Sequence, residues 1–166
     1  MSTKEDESTQ ADSSASPSLR LKSALQFLHS KPSPHVPNPP NCSKRASVAL
    51  ILRFRPPTHH KLSYNPSQCA RSLPFEENLT NFFAQEWVRN GDPEVLFIKR
   101  AARAGDRWTG QVAFPGGRRD TNDADDMAAS VRETMEETGL DLEREWCVPI
   151  GNLPQRVITA AWGRKP

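Results

Sequence analysis

Cysteine is scarce in this sequence: the three present, Cys42, Cys69 and Cys147, are odd in number and form no C-x-x-C pair. That argues against a disulfide framework and a zinc knuckle and fits a reducing compartment. Glycine is sparse too, at eight residues against fifteen prolines, and only 36% of the 166 residues are hydrophobic, with a mean hydropathy of -0.69. A large core is excluded. Long apolar runs are missing, since the longest is Val48 to Leu52; a membrane helix needs roughly 18 residues. Neither sign of charge dominates, because 22 basic against 20 acidic side chains leave a net +2. Nothing in that balance calls for nucleic acid or a membrane surface as a partner. The start, with Glu5, Asp6, Glu7 and Asp12 and no apolar stretch, resembles neither a secretory signal nor an acid-poor transit peptide.

What is present is unevenly distributed. Residues 1–46 are rich in Ser, Thr and Pro, with five prolines between Pro32 and Pro40. The segment cannot bury enough to offset its ordering entropy and is expected to be a disordered arm. One island in it, Ser18 to Ser30, spaces Leu21, Ala24, Leu25 and Leu28 for a weak helix, expected to pack on its own domain. The ordered domain is expected over 47–166, opening with a buried strand at Ser47 to Phe54. A proline-containing excursion over 55–73 follows, and its His59-His60 pair lacks the partners a metal shell needs. The pattern then predicts a helix from Pro74 to Asn90, strands at Glu94 to Lys99 and Gln111 to Phe114, a helix from about Ala124 to Thr138 capped by Asp123, and a strand at Trp146 to Ile150.

Charge separates sharply along the back half. Between Lys99 and Arg119 six cations (Lys99, Arg100, Arg103, Arg107, Arg118, Arg119) face one acid, and between Asp120 and Glu145 ten acids face Arg132 and Arg144. On the acidic helix, a rotation of about 100° per residue sets Met127, Ala128, Val131, Thr134 and Met135 on one side and Glu133, Glu136 and Glu137 on the other. Three carboxylates at i, i+3 and i+4 repel one another, and no lysine lies among them. That pattern suits a hard divalent cation such as Mg²⁺, which shares its shell between carboxylates, water and substrate phosphates. An EF-hand beginning at Asp120 fails, because its sixth position is Asp125 and its twelfth is Val131.

Gly117 followed by Arg132-Glu133-Thr134-Met135-Glu136-Glu137-Thr138-Gly139-Leu140 resembles the Nudix box, whose tail reads R-E-U-x-E-E-x-G-U with U aliphatic. Thr134 replaces an aliphatic residue, the interval after Gly117 is one residue longer than usual, and the first half has no glutamate to orient the arginine; Asp123 or Asp125 would have to do so. Gly110 to Asp120 (GQVAFPGGRRD) is similar to the G-Q-V-x-F-P-G-G-x-x-D stretch of the coenzyme A diphosphatase branch, which shares the longer interval, and Arg100 matches its upstream arginine. The resemblance runs from Leu96 to Pro154.

This likeness implies an α/β fold, a Nudix α/β/α sandwich with a mixed sheet, and hydrolysis of the diphosphate in a nucleoside diphosphate derivative. It implies Mg²⁺ or Mn²⁺ held by Glu133, Glu136, Glu137 and the Gly117 carbonyl, with Arg132 bracing the glutamates and Arg100, Arg118 and Arg119 near the phosphates. A metal-bound or glutamate-activated water would attack phosphorus. Coenzyme A or an acyl-CoA is the expected substrate, giving phosphopantetheine and adenosine 3',5'-bisphosphate, with ADP-ribose as the alternative. Only 26 residues follow Leu140, so the domain is expected to be C-terminally truncated, and a catalytically silent or merely metal- and nucleotide-binding fragment is the second reading. The expected partner is a small nucleotide. The cytosol is the default compartment, with mitochondrion and peroxisome left open.

Overall fold

The computed structural model describes residues 16–40, 42–59, 71–102, 104–105 and 110–158. Expectations for 1–15, His60, Cys69, Arg103, Arg107 and the terminal segment from residue 159 lie outside those residues. The class is α/β: four helices and six short strands, the strands forming three antiparallel pairs among the described residues. No described helix is long and apolar enough to cross a membrane.

The expected strand at 47–54 is two strands. β1 (Ala46–Val48) runs antiparallel to β6 (Gly116–Arg118), and β2 (Leu52–Arg55) antiparallel to β3 (Asp92–Val95). Between them the backbone changes partner: Ala49 N–H donates to the Pro115 carbonyl, and the Ile51 carbonyl accepts from Leu96 N–H. One segment thus ties two ladders together. The strand expected at 94–99 is likewise divided, into β3 and β4 (Ile98–Lys99), the latter paired with β5 (Val112–Ala113).

The helix expected over 74–90 breaks at Gln85, whose extended backbone (ψ 135°) separates α2 (Phe75–Ala84) from α3 (Glu86–Arg89). The break lets α3 turn Val88 fully inward beside Leu79, Phe83 and Phe54. The rings pack edge to face, with Phe54 5.5 Å from Phe82 and 5.6 Å from Phe83 between centroids, the arrangement aromatic quadrupoles favour. Onto this cluster α1 (Pro17–Ser30) lays Leu21 and Leu25, while Ser18 Oγ donates to the Val88 carbonyl and His29 stacks on Phe75 at 3.7 Å. The described part of the 1–46 segment is therefore not a free arm. Its few leucines find a ready apolar face, which a composition average over 46 residues hides.

The helix α4 (Asp126–Thr138) packs on β1 and β6 and stops at Gly139 in the left-handed region. It buries Ala129, Ser130 and Thr134, while Met127 and Met135 are exposed. Of the expected apolar side, Thr134 is fully buried, Ala128 and Val131 are half-buried, and the two methionines are exposed. The stripe Asp126, Ser130, Glu133, Glu137, at spacings of four, three and four, carries buried Ser130 and, at its end, Glu137, which accepts from Gly116 N–H of β6. No strand forms at 146–150: the Glu145 carbonyl accepts from Arg71 N–H and the Ile150 carbonyl from His29 Nδ1, so these groups are taken by isolated donors, without a neighbouring strand.

Candidate functional site

The site begins with the phase of the β1–β6 ladder. Antiparallel pairs alternate between those that exchange hydrogen bonds and those whose N–H and C=O point outward. Ala49 N–H bonding to Pro115 O, and Arg119 N–H bonding to Arg45 O, put Ser47 and Gly117 in the bonded class and leave Gly116 and Arg118 outward-facing. Both outward groups are taken by the motif helix. Gly116 N–H donates to Glu137 Oε2 at 2.9 Å, and the Arg118 carbonyl accepts from the Arg132 guanidinium at 3.1 Å. At φ 141° Gly116 adopts a conformation open essentially to glycine, and a side chain there would strike the Ser47 carbonyl.

The same phase turns the Gly117 carbonyl toward Ser47. One lone pair of that carbonyl then belongs to the ladder, and the second is the one a metal would use. What Gly117 presents to α4 is its missing side chain: a Cβ would lie 2.5 Å from Glu133 Cδ, so the Glu133 carboxylate occupies that space.

Arg132 is the hub. Its Nε and one terminal nitrogen grip the two oxygens of Asp123 at 3.0 and 2.9 Å, and the other terminal nitrogen donates to Glu133 Oε1 at 3.1 Å and Glu136 Oε1 at 3.3 Å. The like-charge repulsion along the helix is thus met by an arginine. Asp123, its side chain 6% exposed, also accepts from Asp120 N–H at 2.7 Å. The hydrogen bonds from Arg132, then the one from Asp120, hold its carboxyl at about 2, well below the usual range, and Asp123 followed by Glu133 raises the Arg132 guanidinium. Asp123 is therefore not the cap expected of it. Asp125 caps α4, its Oδ1 accepting from Ala128 N–H at 2.7 Å, which leaves Asp123 to orient the arginine.

The other cations divide. Arg119, expected beside the phosphates, donates to Asp126 and to the Asp123 and Ala124 carbonyls, so it braces the entry to α4. Arg118 is exposed, and Arg100 joins the β4–β5 ladder by donating its N–H to the Gln111 carbonyl. Thr134, the departure from the aliphatic pattern, is fully buried with its hydroxyl donating to the Ser130 carbonyl at 2.7 Å. Sequence reasoning missed Arg45, whose guanidinium is bound to Asp126 at 2.6 Å; it lies in a proline-rich stretch with no motif around it.

Among the described residues no three acidic, histidine or cysteine side chains lie close enough together to hold a metal. The donor chemistry nonetheless fits a hard cation. Glu133, Glu136 and Glu137 are oxygen donors, Glu136 is 59% exposed, and Mg²⁺ is commonly held by one or two carboxylates, water and substrate phosphates.

Residues 86–155 match the NUDIX domain. An uncharacterized protein of Schizosaccharomyces pombe is 36% identical over 149 residues, 89% of this chain and 39% of the relative. A mitochondrial coenzyme A diphosphatase of Mus musculus is 42% identical over 33% of this chain and 26% of its own length, and a peroxisomal one is 44% identical over 32% and 22%. The chain thus spans well under half of these relatives. No solved structure matches it. The matched region holds β6, α4 and all the residues gathered around Arg132, so the part of the chain that matches the NUDIX domain and is similar to coenzyme A diphosphatases is the part that carries the site.

Proposed function

We propose that this chain hydrolyses the diphosphate of a nucleoside diphosphate derivative, with coenzyme A or an acyl-CoA as substrate. Water oxygen forms a bond to one phosphorus, the bridging P–O bond breaks, and the products are phosphopantetheine and adenosine 3',5'-bisphosphate. The observation that carries the reading is the Arg132 hub, which fixes Glu133 and Glu136 while Glu137 is fixed by Gly116 N–H. Carboxylates held this way are positioned before substrate arrives, which removes reorganisation from the reaction.

Glu133, Glu136 and Glu137 would hold Mg²⁺ or Mn²⁺. Such an ion, when bound, neutralises diphosphate charge and acidifies water. Glu136, 59% exposed against 21% for Glu133, is in reach of solvent and is assigned the proton from the attacking water. Arg118, exposed at the end of β6, is assigned to the substrate phosphates, together with Arg100. Arg119 is better assigned to the scaffold. The relatives named as mitochondrial and peroxisomal diphosphatases support the substrate class, and with cytosol as the default both of those compartments stay open for this chain.

The test is hydrolysis of coenzyme A, ADP-ribose and diadenosine polyphosphates with Mg²⁺ or Mn²⁺, with Glu136→Gln as control. Coenzyme A turnover lost in the variant supports the reading. Folded protein that turns over none of these substrates refutes it and favours the silent, binding-only reading.

A further inference from the structure

Four segments distant in sequence meet at the first residue of α4. The Arg45 guanidinium, 17% exposed, donates through Nε to both Asp126 oxygens at 3.0 Å and through a terminal nitrogen to Oδ2 at 2.6 Å. Its other terminal nitrogen donates to the Val36 carbonyl at 3.0 Å and to Asn38 Oδ1 at 2.8 Å. Val36 N–H in turn donates to Gln155 Oε1 at 2.7 Å, and Gln155 Nε2 donates to Asp126 Oδ2 at 3.2 Å. The ring closes on itself: Arg45, Asp126, Gln155, Val36. Arg119 adds a further contact to Asp126 at 3.4 Å. Arg45 and Val36 lie outside residues 86–155, so the matched domain region is completed by a segment upstream of it.

This ring bears on the site because of the helix face it holds. Asp126, Glu133 and Glu137 occupy one stripe of α4, and Glu137 is fixed at the far end by Gly116 N–H. A helix of 13 residues pinned at both ends of one stripe has no freedom to rotate about its axis. Released at Asp126, it pivots on Glu137 and carries Glu133 away from the space above Gly117. We infer that Arg45 is a positioning residue for the carboxylates of α4, setting the rotation of that helix against β6. The inference rests on the metal-dependent hydrolase reading above.

The experiment uses the 166-residue chain and measures Mn²⁺ binding by the loss of the free Mn²⁺ electron paramagnetic resonance signal, without substrate, and then steady-state kinetics on coenzyme A. The variants are Arg45→Ala, Asp126→Asn, the double variant, and Arg53→Ala, which removes a surface pair with Glu94. Circular dichroism establishes that each is folded at the assay temperature. Arg45→Ala is expected to weaken Mn²⁺ binding and lower kcat by about 10- to 100-fold each, as loss of an outer-shell partner does, with KM changing less than about 3-fold. Asp126→Asn should do the same, the double variant should be no worse than either single, and Arg53→Ala should match wild type. If Arg45→Ala does not fold, Asp126→Asn decides between the same outcomes. A folded variant with wild-type Mn²⁺ affinity and kcat overturns the inference, even where its melting temperature falls, because the ring then only stabilises. Wild-type protein that binds no Mn²⁺ overturns instead the hydrolase reading on which the inference rests.

Discussion

Replacing Gly117 with alanine should separate activity from stability. The added methyl would lie 2.5 Å from Glu133 Cδ and Oε2 and 2.7 Å from Oε1. Ordinary contact between such atoms is about 3.5 Å, so the carboxylate must retreat by about 1 Å. The displaced atoms end a flexible side chain, so the fold yields cheaply, and the alanine recovers about 0.4–1 kcal/mol by restricting the unfolded chain. The site does not yield cheaply, because Glu133 is held to Arg132 at 3.1 Å and a misplacement of this size costs about 100-fold in rate. The expected result is kcat lowered by about 100-fold with the urea midpoint unchanged or slightly raised. In a Glu133→Ala background the same Gly117→Ala change should cost less than about 3-fold, since the clash has gone. An equal loss in both backgrounds, or wild-type activity in Gly117→Ala, would refute the steric account.

Three further outcomes follow from the geometry. The folded Asp123 carboxyl lies at about 2 against an ordinary 3.8, so it stabilises the fold above pH 3.8 and that contribution is lost as pH falls through about 2. Asp123→Asn should therefore lower the urea midpoint at neutral pH and flatten its dependence between pH 4 and 2; a slope equal to that of wild type counts against the pairing. Thr134→Val should change stability by less than about 1 kcal/mol and keep activity, because the hydroxyl serves only a carbonyl already within the helix ladder, and a loss above about 2 kcal/mol in urea unfolding would contradict this. Phe83→Ala, removing a ring 5% exposed in the core cluster, should cost about 3–5 kcal/mol by the same measurement, and a cost under about 1 kcal/mol would mean that the cluster is not the core.

How much of this was legible in the sequence depended on the range of the interaction. The α4 helix and its stop at Gly139 are local and were readable, and the bracing of Glu133 and Glu136 by Arg132 was expected from the resemblance to the Nudix box. The choice between Asp123 and Asp125 was not, because both sit where a cap would sit, and it is decided by partners: Asp123 accepts from Asp120 N–H and Arg132, Asp125 from Ala128 N–H. The exposure of Met127 and Met135 was not legible for a related reason: which residues of an apolar side are covered depends on where the neighbouring strands end, and of that side Thr134 is the one fully buried.

The role of Gly117 shows why partner identity is the missing quantity. A glycine in a Gly-Gly turn reads as a backbone group free to meet a ligand. What its carbonyl meets depends on the strand opposite and on the parity of the pairing, and that strand, β1, lies some seventy residues upstream at the start of the stretch expected as one buried strand, whose partner the sequence does not name. Moving the register by one residue would exchange the bonded and outward classes, releasing the Gly117 carbonyl and burying the Gly116 N–H and Arg118 carbonyl that α4 now uses. The register is held by Arg119 N–H on the Arg45 carbonyl at one end and Ala49 N–H on the Pro115 carbonyl at the other, so the same Arg45 that pins Asp126 through its side chain sets the ladder phase through its backbone. The upstream segment therefore acts on the motif twice, once on the strand and once on the helix, and neither action leaves a mark in the motif's own residues.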